Sequence, residues 1–192
     1  SVDELDLAAL KDSDYVYIEG YLVTSPTGRR AAIQLREQAR QHGTQVALSL
    51  SDPAMVQFFR DGLLEMIGDK VDLIFCNRDE VLGFTQSDSF EQACELLKKF
   101  ATKFAITCGA DGAVVFDGEQ LHQVNAPKVQ AIDTNGAGDM FAGAFLYAIH
   151  RGVNFARAAE FANIAAATVV TQYGPRLQAQ QYRDLRTQFF AE

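Results

Sequence analysis

The sequence predicts an α/β fold in which a mostly parallel β-sheet is flanked by helices, a three-layer sandwich. Short apolar runs alternate with amphipathic stretches along the whole chain, as where the run 15–20 is followed by a helical pattern that starts at Pro26. This spacing favours parallel neighbours, because a parallel pair needs a crossover connection and the crossover is usually a helix. In such sheets ligands collect at the carboxyl ends of the strands, which directs attention to the loops that follow them.

Most of the predicted elements carry a start or stop signal. Ser25 is the expected N-cap of the first helix, with Pro26 at its first helical position and Gly43 as its stop. An Asp117-Gly118 turn is expected to join two strands, 114–116 and 121–124, in an antiparallel hairpin at one edge. Further strands are predicted over 45–49, 72–76 and 104–107, with one helix capped by Ser51 or Asp52 and another capped by Ser89 and ending near Thr102.

Composition indicates a globular chain. Of 192 residues, 48% are hydrophobic, and 17 basic against 25 acidic side chains leave a formal charge of −8. A chain of this length buries about two-thirds of its unfolded surface, and no linker or repeat interrupts it, so a single domain over residues 1–192 is expected. Basic residues never run longer than a pair, which argues against a nucleic acid or an anionic membrane as a partner. An anionic ligand must therefore be held locally.

The cysteines and the apolar runs predict a cytoplasmic protein. Cys76, Cys94 and Cys108 lie far apart without CxxC spacing, as expected of reduced thiols that fill a core. No apolar stretch approaches the ~20 residues of a membrane span, and the first residues lack a basic region followed by an apolar one. A start at Ser1 is compatible with processing or with a piece of a longer protein.

The most informative stretch is 133–143, where a loop of small residues runs into an apolar helix. Gly136, Ala137 and Gly138 let backbone amides approach an anion, and the positive end of the helix dipole points at the same place. Asp139 in the first turn would repel a bound polyanion, and its position suits a base that accepts the proton of an attacking hydroxyl. Alternatively, Asp139 is a simple dipole partner and the glycines permit close packing.

This stretch resembles the second signature of the ribokinase-like (PfkB) family of sugar and nucleoside kinases, written DTxGAGDxFxxG. The last glycine differs in spacing, since Gly143 comes one residue early. Asn135, at a variable position, resembles the adenosine-kinase branch. The fixed positions that match are Asp133, Thr134, Gly136, Ala137, Gly138, Asp139 and Phe141.

Two further segments are similar to family motifs in the same order. The resemblance associates Asn77 and Glu80, in an N-x-x-E pattern, with Mg²⁺ and phosphate through ordered water, although alone the pattern is typical of a capping box. Thr107, Gly109 and Gly112 look like the [TK]-x-G-x-x-G segment that holds the nucleotide. Taken alone, that segment is an ordinary exit from a strand into a turn.

Two other similarities concern the nucleotide base and a cation. Asn163 matches a helix position that in relatives carries a polar side chain at the adenine slot, but an exposed asparagine is the simpler explanation. Asp133 and the turn 170–174 resemble the loop pair that binds a monovalent cation such as K⁺ in many members.

The resemblance implies an ATP- and Mg²⁺-dependent enzyme that moves the γ-phosphoryl group to an alcohol of a sugar or nucleoside, of the ribose or adenosine type. It implies Asp139 as the base, with Gly136, Ala137 and Gly138 around the phosphoryl group. It covers about 15–174 and corresponds to the carboxyl-terminal part of a family member, without the amino-terminal part and lid. A homodimer or pairing with that missing part is then expected. The alternative is a non-catalytic truncated relative that binds nucleotide or a partner chain.

Overall fold

The computed structural model describes residues 1–190 and has a mixed α/β fold. Within these residues, six strands form one sheet in the order β1-β2-β3-β4-β5-β6, flanked by helices, which confirms the predicted fold class. The chain divides into two compact units, Ser1–Ile106 and Thr107–Glu192. The single domain expected over the whole chain stays a prediction.

The first unit contains the parallel part of the sheet. β1 pairs with β2 and β2 with β3, both in parallel register. Side chains such as Leu48, Leu73 and Ile74 are fully buried on these strands, as expected of strands covered by crossover helices. The elements are β1 Tyr15–Glu19, α1 Pro26–His42, β2 Gln45–Ser49, α2 Pro53–Ile67, β3 Val71–Asn77, α3 Arg78–Thr85, α4 Phe90–Leu97 and β4 Ala101–Thr107.

Local capping signals set both ends of α1 and the start of α2 as predicted. Ser25 Oγ accepts a hydrogen bond from the Gly28 amide at 3.3 Å, and α1 ends before Gly43, whose φ of 77° is left-handed. Of the two candidates for the next cap, Asp52 is the N-cap of α2, accepting from the Ala54 amide at 2.7 Å.

The boundary between α4 and β4 was predicted wrongly. The helix ends at Leu97, not near Thr102, and the strand begins at Ala101. The chain turns at 98–100, where the Phe100 amide donates to the Leu97 carbonyl at 2.9 Å and the Phe100 carbonyl accepts from the Val71 amide at 3.0 Å. Ala101 is fully buried, so pairing in the sheet overrides the helical pattern.

The second unit combines an antiparallel hairpin with three helices. The predicted hairpin is confirmed, with Ala113 opposite Val124 and Phe116 opposite Leu121. Asp117 closes its turn by accepting from the amides of Glu119 and Gln120, each at 2.8 Å. The elements are β5 Ala113–Phe116, β6 Leu121–Val124, α5 Ala137–His150, α6 Phe155–Val169 and α7 Ala179–Phe189, after a 3-10 turn over Gly109–Asp111.

The cysteines occupy two kinds of environment. Cys76 and Cys94 are buried, as predicted for core residues, whereas Cys108 is half-buried in the turn after β4. Over residues 1–190, none of the helices combines the length and apolar character needed to cross a bilayer.

Candidate active site

The start of α5 needs glycine at Gly136. This residue is the N-cap of the helix and has a φ of 76°, in the left-handed region that L side chains rarely adopt. A Cβ at this position would lie 2.5 Å from the Pro175 Cβ and 2.7 Å from the Pro175 carbonyl oxygen. Gly136 therefore lets the loop pack closely against Pro175, as the packing alternative for these glycines predicted.

The first turn of α5 offers amides that no protein group accepts. Ala137 N–H donates to the Thr134 carbonyl at 3.2 Å and Met140 N–H to the Gly136 carbonyl at 2.9 Å. Within residues 1–190, no acceptor is found for the amides of Gly138 and Asp139, and α5 has no side-chain cap. In contrast, a capping side chain serves α1, α2, α3, α4 and α6. Two donors at the positive end of a helix therefore remain for an external anion.

Gly138 leaves open space beside these amides. Apart from its chain neighbours and the backbone of its own helix, a Cβ built on it meets no atom of residues 1–190 within 4 Å, and its φ is not left-handed. Protein packing therefore does not require a glycine at this position. Its missing side chain leaves the backbone open to close approach by a ligand.

Asp139 follows directly and is exposed. Over the described residues, its carboxylate has neither a hydrogen bond nor an ion pair with another side chain. A carboxylate that the protein does not use for its own structure is accessible to a substrate hydroxyl, as a general base must be.

One cavity of about 550 Å³ brings together most of the residues predicted to bind the nucleotide. This volume falls in the usual range for small-molecule sites. Asp139 instead lines a second groove, of about 770 Å³, along α5, α6 and α7. The start of α5 thus stands between two open spaces. The predicted residues in the first cavity are Thr107, Gly109, Gly112, Ala137, Gly138 and Asn163, joined by Thr134.

The two glycines of the 107–112 turn have different roles. Gly112 has a φ of 93°, and its Cβ would lie 2.1 Å from the Val124 carbonyl oxygen, so protein packing excludes any side chain. Gly109 has a φ of 58° and open space within 4 Å of a Cβ. The Cys108 amide closes the turn on the Gly112 carbonyl at 2.7 Å. Of these two glycines, Gly109 alone has open space where a side chain would lie.

The expectation of an exposed Asn163 was wrong, because the residue is only 4% exposed. Its Nδ2 donates to the carbonyls of Val124 at 3.0 Å and Asn125 at 3.4 Å. A buried amide group must be hydrogen-bonded, and the chain that leaves β6 supplies the acceptors. Asn163 both lines the cavity and fixes one of its walls.

That wall, residues 126–131, is what sequence reasoning missed. Ala126, Pro127, Lys128, Val129 and Ala131 line the cavity although no signature covers them. These residues follow a β-strand, and ligands are expected near strand ends. That position was the signal in the sequence by which the wall could have been found.

Asp133 links the two loops that resemble a monovalent-cation site. Its Oδ1 accepts from the Asn135 amide at 2.9 Å and its Oδ2 from the Gly174 amide at 3.0 Å. These amides lower the pKa of Asp133, the Gly174 amide most. The two loops meet at these hydrogen bonds, which favour the charged form of the carboxylate.

Asn77 and Glu80 lie in the first unit and form a capping box at the start of α3. The Glu80 carboxylate accepts from the Asn77 amide at 2.9 Å and from Asn77 Nδ2 at 2.6 Å, while Asn77 Oδ1 accepts from the Glu80 amide at 2.8 Å. This is the structural alternative that the motif allowed. Burial raises the pKa of Glu80 to about 7. The hydrogen bond from the Asn77 amide lowers this pKa, whereas the negative charges of Asp52 and Asp79 raise it.

Glu80 is expected to give stability a distinct pH dependence. The folded carboxyl keeps a proton that the unfolded chain loses, so the free energy of unfolding falls as pH rises from about 4.5 to about 7. In metal-free buffer, Glu80→Gln should remove up to about 3 kcal/mol of this decline. Urea unfolding across this pH range measures it, with exposed Glu119→Gln as the control. Parallel curves for wild type and Glu80→Gln would contradict the raised pKa.

Comparison with known proteins identifies the family. A family model described as pfkB family carbohydrate kinase matches residues 2–181, which is nearly the whole chain. The chain belongs to this family.

Curated and solved relatives agree with this membership. A ribokinase of Lactococcus lactis subsp. lactis is 33% identical over 111 residues, covering 58% of this chain and 36% of the relative. An adenosine kinase structure from Sinorhizobium meliloti has a TM-score of 0.90 at 32% identity, and covers 96% of this chain. A probable sugar kinase from Rhizobium etli CFN 42 has a TM-score of 0.88, also at 32% identity and with 96% of this chain covered. The chain spans 58% of the length of each of these two structures.

Proposed function

We propose that this chain is the nucleotide-binding and catalytic part of a kinase that transfers the γ-phosphoryl group of ATP to an alcohol group of a sugar or nucleoside. The start of α5 carries this proposal. Two amides without a protein acceptor adjoin open space at Gly138, and the accessible Asp139 carboxylate comes next in the chain. An anion site beside an unused base suits phosphoryl transfer.

In the proposed reaction, Asp139 accepts the proton of the substrate hydroxyl as its oxygen bonds to the γ-phosphorus. The bond from that phosphorus to the bridging oxygen breaks, and ADP leaves. The amides of Gly138 and Asp139 stabilise negative charge on the transferred group. A positioned base contributes about 10²–10⁴ in rate, and each lost anion-site donor costs roughly 3–4 kcal/mol.

Asn77 and Glu80 are the proposed residues for Mg²⁺. Both Glu80 oxygens already accept from Asn77, so contact through ordered water fits this arrangement better than direct ligation. The bound ion neutralises charge on the phosphates. Asp133 and the turn 170–174 are the proposed position for K⁺, and transfer in KCl compared with choline chloride tests that assignment.

The acceptor is proposed to be a ribose-type sugar or a nucleoside. The relatives include a ribokinase and an adenosine kinase, and Asn135 in the signature favours the nucleoside. Pairing with another chain and a cytoplasmic location remain predictions.

Calorimetry with ATP and Mg²⁺, followed by a transfer assay with adenosine, ribose, fructose and inosine, tests the function. We expect saturable ATP binding and phosphorylation of at least one acceptor. Binding without transfer to any acceptor would favour the non-catalytic alternative. Absence of ATP binding would contradict the proposed function itself.

A further inference from the structure

Lys128 is a cation on the cavity wall that the family signatures do not cover. The charged residues that line this cavity are Asp111 and Lys128. Lys128 is exposed, and within residues 1–190 no carboxylate forms an ion pair with its ammonium group. Asp111, in contrast, interacts with other protein groups. The cavity thus contains one positive charge that the protein does not neutralise by an ion pair.

The backbone that carries Lys128 is fixed at both ends. Before it, Asn163 Nδ2 donates to the carbonyls of Val124 and Asn125. After it, the amides of Ile132 and Asp133 donate to the Val170 carbonyl at 2.7 and 3.2 Å. These bonds restrain the segment at both ends, which lowers the entropic cost of a contact made by Lys128.

Electrostatics favours an anionic partner for this side chain. The chain carries a net charge of −8, which opposes the approach of a polyphosphate, and the amides at the start of α5 offer partial charges only. A lysine ammonium group supplies a full opposite charge and is a common phosphate ligand. We propose that Lys128 binds the phosphate tail of the nucleotide, an inference that rests on the proposed ATP site.

The test uses the whole chain and the variants Lys128→Gln, Lys128→Arg and, as a matched control, exposed Lys99→Gln. Calorimetry with ATP and Mg²⁺ should show about a tenfold loss of affinity in Lys128→Gln, the size of one charge-assisted contact. Lys128→Arg and Lys99→Gln should stay near wild type. Adenosine, which lacks the tail, should compete with a fluorescent ATP analogue equally well in all variants. The salt dependence of ATP affinity should be weaker in Lys128→Gln.

Each other result overturns the inference. If Lys128→Gln binds ATP as tightly as wild type, Lys128 makes no contact with the phosphates, and the proposed function is unaffected. Equal losses for ATP and adenosine show that Lys128 shapes the wall and does not bind phosphate. A wild-type chain that binds no ATP overturns this inference and the proposed function together.

Discussion

Asp139→Asn is expected to lower the rate of phosphoryl transfer at least a hundredfold while ATP binding persists. The amide has the size of the carboxylate but cannot accept the hydroxyl proton at neutral pH, and a positioned base contributes about 10²–10⁴ in rate. Asp139 is exposed, and no side-chain contact of its carboxylate is found over residues 1–190, so the fold should not change. Transfer kinetics and calorimetry on the same preparation measure both quantities.

The control for this variant is Asp88→Asn, which removes the same charge from an exposed position outside α5. It should leave transfer and ATP binding unchanged. Turnover near wild type in Asp139→Asn would refute the assignment of Asp139 as the general base. A matching loss of ATP affinity would instead indicate that Asp139 serves binding.

Gly138→Ala and Gly136→Ala are expected to separate ligand binding from stability at the same loop. At Gly138, a methyl group meets no atom of residues 1–190 outside its own helix turn within 4 Å. The free energy of unfolding should therefore stay constant or rise by about 0.5–1 kcal/mol, since alanine favours a helix. The same methyl group enters the space proposed for the phosphates, and ATP affinity should fall at least about tenfold.

Gly136→Ala should show the opposite pattern, with a lower free energy of unfolding and no direct effect on the ATP affinity of the folded chain. Its left-handed φ of 76° and the contact with Pro175 predict a loss of roughly 2 kcal/mol or more in the free energy of unfolding. Urea unfolding and calorimetry on both variants give the comparison. Wild-type ATP affinity in Gly138→Ala would contradict the amide site at the start of α5.

Features that depend on neighbours in the chain were predictable from the sequence. Ser25 and Gly43 bound α1 because a cap bonds to amides within its own turn and a left-handed residue ends a helix by its own geometry. The anion site at the start of α5 was predicted by the same kind of local reasoning and stays a prediction. The order of strands and helices followed from apolar periodicity, which reflects burial along one element at a time.

Features that depend on distant partners were not predictable in this way. Asn163 is buried because carbonyls almost 40 residues earlier accept its amide group. The start of β4 at Ala101 follows a hydrogen bond that the Val71 amide donates to the Phe100 carbonyl, about 30 residues away in the chain. Glu80 looked like a metal residue or a cap, and only its burial shows why its carboxyl holds a proton so strongly.

The sequence by itself determined the α/β class and the N-caps of α1 and α4. It also predicted an anion site at the start of α5, since each of these features depends on local backbone geometry and side-chain type. The tertiary structure alone decided which glycines pack against protein and which face open space, and it placed Lys128 on the cavity wall. The physical reason is that space and charge around a residue are set by groups far away in the chain, and those groups become neighbours only when the chain folds.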